Sequence, residues 1–308
     1  MNIVITGAAG YIGSKLTKRM VEWGHHVKCF DNLFFQQYPL VKHVFDYPKC
    51  QFYAEDVNSW SDNLKRAIDE AHVIFPLAAL VGAPLCDKYP SLAKKVNQTW
   101  LEKLVTDLSN QIVIYPNTNS GYGSNPGLCT EETPLNPLSH YALTKKAGED
   151  AVRSWRRSVC FRLATVFGDS PRPRTDLLIN NLAGYTGNIE VFDGHFRRNY
   201  IHIDDVISAF EMAIVSIGEM AGQVYNLGND SLNMTKLDLV QKICDITRAT
   251  YSQEYEKTDP DKRDYEVSSQ KLYNLGFRCK RDLETGVREM QHVYRTWSSE
   301  ALSKCRNY

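Results

Sequence analysis

The feature that constrains this chain most is a seven-residue run near its start. Gly7-Ala-Ala-Gly10-Tyr11-Ile12-Gly13 follows the apolar run Asn2–Thr6 and opens onto residues 14–23, where Leu16, Met20 and Trp23 recur at helical spacing. Between a strand and a helix, glycines spaced this way have three separate uses. One allows the tight turn, another lets the backbone approach a pyrophosphate, and the third lets the helix pack close on the strand. The helix N-terminus then offers its unpaired N–H groups to phosphate.

The alternation continues beyond this unit. Apolar runs at 27–30, 52–54, 73–77, 112–115 and 159–163 are separated by helical candidates at 64–71, 91–108 and 141–156. Such alternation predicts an α/β fold, a Rossmann doubly wound parallel sheet with helices on both faces. After Gly168 the texture changes. Residues 169–175 are rich in Pro and Arg, and short strands (199–202, Gln223–Leu227) mix with helices (204–215, 236–248, 283–299). A boundary is therefore expected near residue 170, dividing a dinucleotide-binding domain (1–170) from a smaller mixed α/β substrate domain (171–308), with some elements crossing back.

Composition removes several classes. The 308 residues carry 36 Lys plus Arg against 36 Asp plus Glu, so no net field draws the chain to nucleic acid or an anionic membrane. The longest apolar run, 73–86, holds two prolines and falls short of the ~20 residues a bilayer span needs. A strand starting at residue 2 is not a signal peptide. Eight cysteines lie scattered without a CxxC pair, which predicts a reduced, metal-free, cytoplasmic protein.

Three further positions speak to chemistry. Asp31 ends the second strand, where a carboxylate accepts hydrogen bonds from both adenosine ribose hydroxyls and repels a 2′-phosphate, so NAD is expected over NADP. Asp56-Val57 follows the third strand, where a carboxylate can meet the adenine amino group, although alone it reads as a solvated loop residue. Tyr141 and Lys145 lie four apart on a predicted helix and so share a face. A phenol ionises near ~10, and a neighbouring cation lowers that value. Such a pair can take a proton from a sugar alcohol while hydride leaves the same carbon for a nicotinamide. Thr118, just past an apolar run, can bond the same hydroxyl.

Together these residues resemble the extended short-chain dehydrogenase/reductases of the nucleotide-sugar epimerase/dehydratase family. The likeness also takes in Asp31-Asn32-Leu33, Leu77-Ala78-Ala79, Asn97, Tyr122-Gly123, the stretch 162–168, Arg198-Asn-Tyr-Ile-His-Ile-Asp204, Tyr225-Asn-Leu-Gly228 and Arg263-Asp264. It implies catalysis by Thr118, Tyr141 and Lys145. It also implies NAD held by Gly7, Gly10, Tyr11, Ile12, Gly13, Asp31, Asn32, Asp56, Val57, Leu77, Ala78, Ala79, Asn97, Tyr141 and Lys145. A nucleoside-diphosphate sugar is expected against Val81, Gly82, Asn119, Ser120, Thr165, Arg172, Arg174, Arg198 and Arg263, because guanidinium forks match phosphate oxygens. Loop wording at 77–86, 115–123, 195–200 and 259–265 resembles the bacterial GDP-D-glycero-D-manno-heptose 4-dehydrogenases of surface-polysaccharide (capsule) biosynthesis, which implies a GDP-sugar. The family's dimers pair through the helices expected at 91–108 and 141–156. A homodimer is therefore implied, with Trp100, Leu104 and Val152 as exposed apolar positions; the alternative is a monomer with the same residues packed inside.

Departures from the family pattern refine the expectation. Its 4,6-dehydratases carry Asp then Glu after the active-site Thr, whereas this chain has Asn119 and Ser120, neither of which exchanges a proton near neutral pH. Elimination is thus disfavoured. Thr165 stands where many members have Asn. Cys86 reads as a small loop hydrophobe, and His202 as a residue packed within a strand. The expected reaction is NAD-dependent oxidation at C4 of the sugar to a 4-keto product. A C4 epimerase of a UDP- or GDP-sugar shares every one of these residues. A catalytically silent NAD-binding regulator would be expected to lose the Tyr141/Lys145 pair.

Overall fold

The computed structural model describes residues 1–36, 39–40, 44, 46–256, 258 and 263–307; positions 259–262 of the loop singled out above lie outside them. Seven parallel strands form the centre: β1 (Asn2–Thr6), β2 (His26–Asp31), β3 (Cys50–Ala54), β4 (Val73–Pro76), β5 (Ile112–Thr118), β6 (Ser158–Leu163) and β7 (Gln223–Leu227). Their order across the sheet is β7-β6-β5-β4-β1-β2-β3, the doubly wound arrangement the alternation predicts. β4 and β6 are buried along their whole length, as strands covered by helices on both faces must be.

β5 runs three residues beyond its apolar run. Pro116, Asn117 and Thr118 pair with Phe161, Arg162 and Leu163 of β6, so the partner strand, not hydrophobicity, decides where β5 ends. The helix expected over 91–108 is interrupted. Pro90–Lys94 leads into a π turn at Lys95–Thr99 and then Trp100–Thr106. Trp100, Leu104 and Val152, expected as exposed dimer positions, are instead buried beside Tyr115 and Cys160 under the sheet. Their apolar faces are already covered within one chain.

The chain crosses back after residue 170. β7 pairs with β6 from Val159↔Gln223 to Leu163↔Leu227. Helix Ile203–Val215 sets Phe210 against Phe75 and Phe161, ring centroids 5.6 and 5.7 Å apart. The remaining elements build a second core around Phe167, Tyr200, Leu239, Val287 and Met290. It is covered by a three-stranded sheet of Thr165–Phe167, Arg197–His202 and Asn229–Thr235. Among the described residues, no helix is long and apolar enough to cross a membrane. The two cores leave a cleft at the carboxyl ends of β1, β2, β4 and β5, where the strand order reverses.

Candidate active site

The cleft encloses a cavity of about 1010 Å³. At one end lies the glycine turn. Gly7 has a φ of 66°, and a Cβ there would sit 2.6 Å from the Ala78 nitrogen. A Cβ on Gly13 would come within 2.2 Å of the Gly7 carbonyl oxygen. Helix Tyr11–Glu22 begins at Gly10 without a side-chain cap, and Gly10, Tyr11, Ile12 and Gly13 all line the cavity. An uncapped helix end on a wall that only glycine can form suits a pyrophosphate.

Asp31 closes this end. Its carboxylate accepts from the Ala9 N–H at 3.0 Å and the Leu33 N–H at 2.8 Å, while burial pushes its pKa above the usual carboxylate range. Asn32 donates from Nδ2 to Asp56 Oδ2 at 2.9 Å. The Tyr11 hydroxyl donates to the Gly168 carbonyl at 2.7 Å, pinning the turn to the segment after Thr165–Phe167. These residues fit a dinucleotide: a phosphate cradle, a ribose-facing carboxylate and an apolar wall.

At the other end, helix His140–Arg153 is capped by Ser139, whose Oγ accepts from the Ala142 N–H at 3.2 Å. This fixes Tyr141 in the first turn and Lys145 one turn on. Lys145 is buried, donates from Nζ to the Pro116 carbonyl at 2.6 Å, and lies 4.1 Å from the Tyr115 ring centroid. Burial draws its pKa down to about 7. Tyr141 keeps some surface open, yet the protein around it pushes its pKa up to about 12. Arg174, Arg263 and a hydrogen bond with Thr118 pull the other way. Burial thus outweighs the cations around Tyr141, among which Arg174 and Arg263 act most strongly.

Most expected contacts meet in this one cavity. Gly7, Asp31, Asn32, Asp56, Val57, Leu77, Ala78, Ala79, Val81, Gly82, Thr118, Thr165, Arg172, Arg174 and Arg263 line it together with Tyr141 and Lys145. Four expected contacts do not. Asn97 lies in the π turn, where its Oδ1 accepts from the Leu80 N–H (2.8 Å) and its Nδ2 donates to the Leu80 carbonyl (3.0 Å) and Thr144 Oγ1 (3.1 Å). It holds the cavity wall from behind. Asn119 is fully buried, and neither of its amide atoms has a hydrogen-bond partner among the described residues. Ser120 Oγ accepts from Thr118 Oγ1 at 3.0 Å and from the Arg263 guanidinium. Arg198 lies 5.4 Å from the Tyr265 ring and donates to the Arg197 carbonyl at 2.8 Å.

Other readings are refined. Arg172 and Arg174 are buried rather than solvated, and Arg174 pairs with Asp176 through Nε and Nη2. Cys86 lies in helix Ala83–Lys88, not a loop; its thiol donates to the Leu80 carbonyl at 3.3 Å, and burial pushes its pKa up to about 11. His202 Nδ1 accepts from the Asp204 N–H, leaving Nε2–H to donate to Glu289 at 2.9 Å. With both nitrogens engaged, the His202, Asp204 and Glu289 group presents no free imidazole lone pair to a metal.

Sequence reasoning missed Asn117, Phe35 and Asn307, which also line the cavity. Asn117 Nδ2 donates at 2.5 Å to Glu149, which forms a buried pair with Arg162 at 2.8 Å. Its place beside Thr118 was a usable signal; Asn307 offered none.

Residues 3–228 match the profile of the NAD dependent epimerase/dehydratase family. The chain is 30% identical over 244 residues to a UDP-glucose 4-epimerase of Mycolicibacterium smegmatis, covering 74% of this chain and 77% of that one. Its fold matches a UDP-glucuronic acid 4-epimerase from Bacillus cereus, crystallised with UDP-glucuronic acid and NAD, with a TM-score of 0.81 and 23% identity over 96% of this chain and 99% of the other. It also matches a dTDP-glucose 4,6-dehydratase from Bacillus anthracis in complex with NAD, with a TM-score of 0.80 and 23% identity over 99% and 100%.

Proposed function

Because the chain belongs to the NAD dependent epimerase/dehydratase family and takes NAD as its cofactor, we propose that it oxidises C4 of a nucleotide-linked sugar to the 4-keto sugar. The observation that carries this reading is the placement of Tyr141, Lys145 and Thr118 in the same cavity as the glycine turn. NAD supplies the hydride acceptor, so the alcohol leaves as ketone, with NADH and one proton formed. Thr118 orients the C4 hydroxyl, and Tyr141 takes its proton. The Lys145 ammonium keeps donors beyond its bond to Pro116 for the nicotinamide ribose. Arg174 and Arg263 favour the phenolate and so offset part of the cost of burying the base.

The proposed substrate is a GDP-sugar, GDP-D-glycero-D-manno-heptose, used for surface polysaccharide in the cytoplasm. The loop wording supports it, and eight cysteines outside any disulfide suit a reduced compartment. A UDP-sugar 4-epimerase is the second reading, favoured by the 30% identity to such an enzyme. Dehydration is disfavoured in this proposal. Neither Asn119 nor Ser120 supplies an acid, and of the cavity-lining carboxylates Asp31, Glu55 and Asp56 cluster at the ribose end. Among the described residues, Asp87, bonded to His140 at 2.8 Å, is the remaining candidate acid lining the cavity.

The test is NMR and mass spectrometry after incubation with NAD and a panel of GDP- and UDP-sugars in deuterated buffer. Accumulating NADH with a 4-keto sugar supports oxidation. A C4 epimer without NADH replaces it with the epimerase reading. A 4-keto-6-deoxy sugar carrying solvent deuterium at C5, formed without net NADH, overturns the reading that dehydration is disfavoured.

A further inference from the structure

Among the described residues, the carboxylates lining the cavity are Asp31, Glu55, Asp56 and Asp87, and Asp87 stands apart from the other three. Helix Ala83–Lys88 carries it to the catalytic end. The helix starts at Gly82, whose φ is 97°, and the Cys86 N–H donates to the Gly82 carbonyl at 3.1 Å. Leu85 and Cys86 join Leu80 and Ala93 in a small apolar cluster, and Tyr141 packs against it. His140, the residue before Tyr141 on the catalytic helix, donates from Nδ1–H to Asp87 Oδ1 at 2.8 Å. Asp87 Oδ2 has no hydrogen bond with the described residues. Both side chains are more than half exposed, which puts the pair at the mouth of the cavity.

We infer that Asp87 selects the sugar: steadied by His140, it accepts from the hydroxyls of a neutral sugar and turns away a uronic acid. The inference rests on the proposed nucleotide-sugar reading and narrows its substrate class. With C4 presented to Tyr141, the neighbouring ring substituents lie around that phenol, and Asp87 is the carboxylate on that side. A carboxylate offers only acceptors, which suit the hydroxyl donors of a sugar, and hydrogen bonds to it are charge-assisted. A second carboxylate at C6 would meet a like charge in a cleft partly shielded from water. The cavity's cations have other partners: Lys145 has Pro116, Arg172 has Asn307, Arg174 has Asp176 and Arg263 has Ser120. Asp87 is thus an acceptor for the substrate rather than the acid that expels a hydroxyl.

Calorimetric titration of the NAD-loaded full chain tests this, with UDP-glucose against UDP-glucuronic acid, GDP-mannose against GDP-mannuronic acid, and free UDP and GDP. The native protein should bind one neutral sugar nucleotide at least about tenfold tighter than its matching uronate. Asp87→Asn removes the charge at constant size and should weaken the neutral ligand about tenfold, the size of a lost charge-assisted hydrogen bond. The uronate should then bind about as well as the neutral ligand. Free UDP or GDP, and NAD⁺ titrated into the bare chain, should change less than about twofold. His140→Ala keeps the carboxylate but frees it, so the neutral ligand should weaken less and the uronate stay excluded. Where a sugar is turned over, the Asp87→Asn loss should fall on KM and not on kcat. An unchanged ratio of neutral to uronate affinity in Asp87→Asn overturns the inference, as does a native preference for the uronate. A loss of free UDP or GDP binding as large as that of the sugar nucleotide overturns it too, and so does a fall in kcat at unchanged sugar affinity. Failure of the native protein to bind any of these nucleotides would instead overturn the nucleotide-sugar reading beneath it.

Discussion

Burial moves Tyr141 and Lys145 in opposite directions on the pH scale, and moves both toward the neutral form. For Lys145 the value falls from 10.5 to about 7. Between those values the unfolded chain holds a proton that the folded chain has released, so stability rises with pH across that window. Below about pH 7 the buried ammonium is charged and its penalty is complete. Lys145→Met should therefore raise stability by ~1–3 kcal/mol near neutral pH and flatten the rise above it, while abolishing turnover. Urea denaturation across that pH range measures both. Tyr141→Phe removes the proposed base and keeps the ring. Turnover should fall by roughly two to four orders of magnitude with NAD⁺ affinity retained, and near-native turnover would place the chemistry elsewhere. Asp31→Ala should narrow the ratio of NADP⁺ to NAD⁺ dissociation constants, read by the same titrations, because a carboxylate facing a 2′-phosphate costs on the order of a few kcal/mol.

At the scale of elements, the π turn at Lys95–Thr99 connects the cavity wall to the helix carrying Tyr141 and Lys145. Asn97→Ala leaves the buried Leu80 N–H and carbonyl without that partner. A loss of ~2–4 kcal/mol in thermal or urea unfolding is expected, together with weaker NAD⁺ binding as the 77–82 wall relaxes. An Asn97→Ala protein with native stability would show that the contact does little. Six strands of the sheet were legible as short apolar runs, and the glycine turn because its geometry demands glycine; Gln223–Leu227 was legible as a strand, but its place at the edge of this sheet was not. The π turn was not, because the apolar spacing of Leu92, Val96, Trp100 and Leu104 reads as one unbroken helix. The extension of β5 to Thr118 was hidden by Pro116 and Asn117, which look like a strand's end until β6 is beside them. Phe35 and Asn307 could not be found at all, since their place in the cavity wall comes from contacts with Arg172 spanning more than a hundred residues.

At the scale of the molecule, the cavity draws its lining from Gly7 to Asn307, so its shape depends on nearly the whole chain being in place. The buried Glu149–Arg162 pair shows the same dependence. Arg162 also donates to the Tyr122 hydroxyl at 3.1 Å, and that hydroxyl donates to Asn226 on β7 at 2.7 Å. Removing one partner strands a buried charge, so Glu149→Ala should destabilise the protein by about 3–5 kcal/mol in urea unfolding, whereas a surface pair would cost under about 1. The return of β7 to the edge of β6 has a consequence for the order of assembly. A growing chain that has reached residue 170 has β6 as a bare edge, and the sheet has no Phe210 against Phe75 and Phe161. That intermediate exposes unpaired backbone and apolar surface together, the combination most prone to wrong partners. Closing it takes a crossover of some sixty residues from Leu163 to Gln223, a slow, non-local step. The two halves then have no separate route to the native state: what closes the sheet is the strand that arrives last.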